Sequence, residues 1–112
     1  MTAFLLKLQP NQDVTEALEE AVAAAGIRCA RIVAAVGSLV EGILIGADGE
    51  HRVEGPAIEV AALSGTVHAT GGSRLRGYLC RADTQVVEGE LARGRNAVGV
   101  TFELLLTVCD QV

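Results

Sequence analysis

Glu54-Gly55-Pro56, Ile58-Glu59-Val60-Ala61-Ala62-Leu63-Ser64-Gly65-Thr66-Val67, Gly71-Gly72, Arg74-Leu75-Arg76 and Glu88-Gly89-Glu90-Leu91 are the pieces that decide how this chain folds. Gly55-Pro56 interrupts the chain before an apolar run. Ile58, Val60 and Ala62 alternate with Glu59, Ala61 and Leu63, the period of a strand. Past Leu63 the alternation weakens, and Gly65 reads as a bulge. Gly71-Gly72-Ser73 is a turn. The stretch therefore reads as the central hairpin of a sheet plus the strand that follows.

Working outward, residues 74–82, 86–91 and 97–109 read as further strands. In the last, Val98, Val100, Phe102, Leu104, Leu106 and Val108 fall on one face. Upstream, residues 3–9 form a strand ended by Pro10. Asp13 has the position of a helix N-cap, with Glu16 three places on. Val14, Leu18, Ala21, Val22 and Ala25 recur at helical spacing over residues 13–25, and Glu16, Glu19 and Glu20 fall on the wet side. Gly26 closes the helix. Residues 28–36 are a strand, Gly37-Ser38-Leu39 breaks it, and 40–46 resumes. Asp48-Gly49 turns the chain into 51–54. One flanking helix and about seven strands joined mostly by short turns make an α+β domain with a largely antiparallel sheet.

The chain has 112 residues, read as one domain over 1–112. Half of them are hydrophobic, yet only Phe4, Tyr78 and Phe102 are aromatic. The core must be aliphatic, and there is more aliphatic surface than a small domain hides alone. Exposed apolar patches mark interfaces, so an oligomer is expected. The formal net charge of −5, without a basic run, argues against nucleic acid, which is held by Lys and Arg on phosphates. Scarce aromatics also remove a base-stacking platform. Cys29, Cys80 and Cys109 are far apart and odd in number, and they read as buried small hydrophobes. The first residues do not read as a signal peptide. No run approaches the ~18 apolar residues of a membrane span. A cytoplasmic protein with no membrane contact is expected.

The matching order of Pro10, Asp13, Gly26-Ile27-Arg28, Gly37-Ser38-Leu39, Glu54-Gly55-Pro56, Ile58-Glu59-Val60, Leu63-Ser64-Gly65-Thr66-Val67, Val86, Gly89, Leu91 and Gly94 resembles the plants and prokaryotes conserved (PPC) domain. The resemblance covers nearly the whole chain. It implies a mainly antiparallel sheet with a flanking helix, assembled as a homotrimer. In plants the domain accompanies AT-hook DNA-binding motifs. Many prokaryotic members carry a His-x-His pair and a third His in Gly-Gly-His-Leu, able to bind a metal. By that resemblance the pair positions here are Arg74 and Arg76, and the third is Glu90.

Arg offers no lone pair, so Arg74, Arg76 and Glu90 do not make a zinc site, and neither metal nor other cofactor is expected. His51 and His68 match no ligand position and read as surface histidines. Arg74 and Arg76 are two apart on a strand and share a face. Facing Glu90 they form either an ion-pair cluster or a small-anion site, since two guanidiniums against one carboxylate leave a positive surplus. Ser38, Ser64 and Ser73 lack an evident His partner, so no nucleophile–base pair is seen. Arg93-Gly94-Arg95 resembles an AT-hook core, but Asn96 follows where the hook has Pro. The reading is a homotrimeric binding or regulatory module. The alternatives are a DNA-associated protein, as in AT-hook-linked relatives, and an enzyme acting on a small anionic substrate.

Overall fold

The computed structural model describes residues 2–81 and 83–109. The chain forms β1 (Ala3–Leu8), α1 (Val14–Ala24), β2 (Cys29–Leu39), β3 (Gly42–Gly46), β4 (Gly49–Val53), β5 (Ile58–His68), β6 (Arg74–Cys80), β7 (Val86–Leu91) and β8 (Val98–Val108). The eight strands make one sheet in the order β1-β8-β2-β5-β6-β7-β3-β4. All the pairings are antiparallel. The hairpin of β5 and β6 and the following β7 occupy the middle of that order, as the Glu54–Leu91 stretch implied.

The helix begins where Asp13 caps it, its Oδ2 accepting from Glu16 N at 3.0 Å. It lies against β5 and β1 and buries Val14, Leu18 and Val22 completely. Each such side chain contributes about 1.5–3 kcal/mol. Glu19, expected on the wet side, is 4% exposed. Its neighbours on that side, Glu16 and Glu20, stay in solvent. Glu19 is instead drawn down by an arginine far along the chain, which helical periodicity alone does not reveal.

Gly37-Ser38-Leu39 does not break the second strand. β2 runs through to Leu39, and the interruption falls at Val40 and Glu41. Gly37 is there for close approach: a Cβ at this position would lie 2.6 Å from Phe102 Cδ2. The Phe102 ring, fully buried, occupies the space a side chain would need.

The irregularity of β5 comes earlier than Gly65. The register with β6 shifts between Val60 and Ala62, so Ala62 faces solvent and Leu63 enters the core. Gly65 itself stays in register opposite Leu75. In β8 the expected single apolar face is interrupted. The pairing with β2 shifts between Gly37 and Leu39, and Val100 is thrown outward, 76% exposed. Val98, Phe102, Leu104 and Leu106 are buried as expected.

Leu5, Leu105 and Ala34 stand in one row across β1, β8 and β2 on the sheet face away from the helix. Leu5 is 77% and Val36 64% exposed. This aliphatic surface is the excess that the composition implied. No helix among the described residues is long and apolar enough to cross a membrane.

Candidate functional site

β6 alternates strictly. Leu75 and Leu79 are buried, while Arg74, Arg76 and Tyr78 are exposed on the face opposite the helix. β7 places Glu88 and Glu90 on that same face, Glu88 opposite Tyr78 and Glu90 opposite Arg76. Beneath them Gly77 and Gly89 pair on the core face, where a Cβ on Gly77 would meet Leu91 Cδ1 at 2.8 Å. The two glycines let the leucine layer rise close under the strands that carry the charges.

The structure brings Arg74, Arg76 and Glu90 together, and it adds Glu88. Arg74 Nε donates to Glu90 Oε1 at 3.0 Å. Arg76 donates a short hydrogen bond to Glu88 Oε2. Both pairs run diagonally across the β6–β7 ladder, within reach of long side chains. The positive surplus counted from Arg74, Arg76 and Glu90 alone is offset by Glu88. Its signal was present in the sequence, since Glu88 and Glu90 share a strand face by simple alternation. The cluster is open to solvent, Arg74 being 81% and Glu90 28% exposed at the side chain. In water such pairs are individually weak.

These residues do not fit a metal. Guanidinium donors present no lone pair, and among the described residues no group of three His, Cys, Asp or Glu side chains is placed to hold an ion. His51 is engaged by Asp48 Oδ1 at 2.6 Å on the surface. His68 lies at the end of β5, half-buried and remote in the ladder from Glu90. Cys29 is buried as expected, whereas Cys80 and Cys109 are only half-buried, and none of the three is in a disulfide.

A second polar centre escaped the sequence reading. Glu19 accepts from Arg93 through Oε1 and from Ser73 N through Oε2 at 3.2 Å. The Arg93 guanidinium, and after it the Ser73 donors, hold the Glu19 carboxyl below the ordinary carboxylate value despite burial. This ties the helix to the Gly71-Gly72 turn and to the loop after β7. Arg95 of the same Arg-Gly-Arg segment donates to Glu50 at 2.6 Å. Asn96, fully buried, bonds Ile43 N and O and Ala92 O through its side chain. The segment is thus a clasp between elements, with both arginines held by carboxylates.

The Plants and Prokaryotes Conserved (PCC) domain matches residues 1–110. Among curated proteins none matches. A hypothetical protein from Salmonella enterica superposes with a TM-score of 0.83 at 27% identity, covering 94% of this chain and 75% of its own. A metal-containing protein from Archaeoglobus fulgidus gives a TM-score of 0.73 at 21% identity, covering 96% and 79%. A plant- and prokaryote-conserved protein from Pyrococcus horikoshii gives 0.77 at 15% identity, covering 99% and 81%. Sequence match, helix and eight-stranded antiparallel sheet agree, and the chain belongs to the Plants and Prokaryotes Conserved domain family.

Proposed function

We propose that this chain is a homotrimeric, non-enzymatic binding module in which the Arg74, Arg76 and Glu90 cluster, completed by Glu88, receives a small anion. The observation that carries the assembly is the aliphatic sheet face around Leu5, Val36 and Leu105, on the side of the sheet away from the helix. A face of this kind is covered in a stable protein by another protein surface. The charged cluster shares that side of the sheet, so assembly would bring it close to a neighbouring subunit. A small oxyanion would enter by displacing Glu88 or Glu90 from its arginine, the guanidinium fork matching carboxylate or phosphate. The residues at the family's histidine positions are then an anion-handling set in place of a metal site.

The acidic balance and the capture of Arg93 and Arg95 by Glu19 and Glu50 weigh against DNA. Light scattering on the purified protein is the test of assembly. A stable monomer at micromolar concentration would remove the trimer. For the cluster, phosphate should raise the melting temperature above that in chloride at matched ionic strength by mass action. Arg76→Ala should diminish the rise, and identical melting in the two salts would leave only a structural ion-pair cluster.

A further inference from the structure

Arg28 differs from most of the other arginines. Apart from Arg31, every other arginine in the chain has a carboxylate partner. Arg28 has none among the described residues, in a chain whose formal charge is −5. It lies exposed beside a cleft of about 310 Å³ formed with Cys29, His68, Ala69 and Thr70 at the end of the sheet. Three other clefts carry carboxylates: Glu16, Glu19 and Glu20 beside the helix, Glu41 and Glu54 beside Pro56, and Glu103 on the apolar face. This one carries a guanidinium, an imidazole and a hydroxyl, with no acid among the described residues that line it.

Its walls are fixed. Ala69 N donates to Arg28 O at 3.0 Å, and Gly71 N to His68 O at 3.0 Å. His68 N donates to Ser73 Oγ at 2.8 Å, and Ser73 N reaches the buried Glu19. The turn is thereby anchored to both β2 and the helix. Thr70, by contrast, has neither its N–H nor its hydroxyl bonded to another described residue. Donors held on a braced turn and not yet used are preorganised for an acceptor-only ligand.

We propose that this cleft binds a small phosphate monoester, with the phosphoryl oxygens taken by Arg28, His68 and Thr70. Arg28 supplies the planar fork that matches two phosphate oxygens. His68 supplies a ring N–H, and Thr70 its hydroxyl. The cleft volume lies at the small end of the roughly 300–1,000 Å³ of small-molecule sites, which leaves room for a short organic group beside the phosphate. The cleft's lining includes neither Arg74 nor Arg76, and the proposal does not rest on that cluster.

The test is a titration of the uniformly ¹⁵N-labelled full chain with inorganic phosphate and with glycerol phosphate, against sodium chloride at matched ionic strength. Saturable shifts centred on the amides of Arg28, Ala69 and Thr70 are expected for both phosphates, with glycerol phosphate at least as tight. Arg28→Gln should weaken binding about tenfold or more, because it removes both charge and fork. Arg28→Lys should fall between, Thr70→Val should lose part of the affinity, and Arg76→Gln should leave the shifts at Arg28, Ala69 and Thr70 unchanged. Arg28 is exposed, so its variants keep the fold, as the unperturbed amides of the other strands would report. Shifts centred on residues 74–76 and 88–90 with none at Arg28, Ala69 and Thr70 would overturn the proposal and leave phosphate at the ion-pair cluster alone. Absence of saturable shifts, binding of inorganic phosphate alone, or unchanged affinity in Arg28→Gln would each overturn it too.

Discussion

Arg76 stands directly opposite Glu90 in the β6–β7 ladder, yet its guanidinium is bound by Glu88, and Glu90 is bound by Arg74. Each arginine reaches past its facing residue to a diagonal partner. The charges cancel in pairs on an exposed surface, which sets the scale of what they contribute.

Glu90→Gln and Glu88→Gln should therefore each cost below roughly 1 kcal/mol of protomer stability in urea unfolding. A loss of about 3–5 kcal/mol would show that assembly buries the cluster, since removing one partner of a buried pair strands a charge.

Glu19 is the opposite case. It is buried and held by Arg93 and Ser73. Glu19→Gln should cost on the order of 1–3 kcal/mol at neutral pH. Because its folded carboxyl lies below the ordinary value of 4.5, its stabilisation is complete above that pH. It fades as pH falls from there through the lowered folded value. The gap between wild type and Glu19→Gln should close on acidification, as a pH series of denaturation midpoints would show. A gap that stays constant down to acid would mean that shape, and not charge, carries the contribution.

Gly37→Ala tests why that glycine is there. Its Cβ would press on the buried Phe102 ring, so a loss of about 1–3 kcal/mol is expected. Gly72→Ala meets nothing within 4 Å and suffers only its positive φ of 79°, about 1–2 kcal/mol. Gly37→Ala should also unsettle Phe102, visible in the aromatic signals of the NMR spectrum, whereas Gly72→Ala should not.

Val36→Lys should separate assembly from folding. Val36 is exposed in the protomer, so the substitution leaves the sheet intact and puts a charge on the aliphatic face. Light scattering should show a smaller species with unchanged circular dichroism. An unaltered mass would place the self-association surface elsewhere.

Elemental analysis of untagged protein should find no stoichiometric zinc. Zinc at one per chain, lost on Glu90→Gln, would show that the β6–β7 cluster recruits a ligand set from another subunit.

Much of this molecule was legible in its residues taken in order. The capped helix, the β3–β4 hairpin (whose turn falls on Ala47-Asp48, one residue before the expected Asp48-Gly49), the turn at Gly71-Gly72 and the alternation of β6 and β7 are local properties. Periodicity, capping and turn chemistry act over a few residues, so the sequence determined them, together with the family and the pairing of Arg74 and Arg76 on one face. Tertiary structure decided what depends on distant partners. Gly37 is a contact with Phe102 and not a break, because a ring from β8 needs its space. Ala62 and Val100 face outward because register shifts against neighbouring strands reverse the parity. Glu19 is buried because Arg93, brought near by the fold, neutralises it. Glu88 completes the charge cluster through a diagonal reach that alternation permits but does not specify. Among the described residues the fold sets no carboxylate against Arg28, and the cleft it lines is basic on an acidic protein.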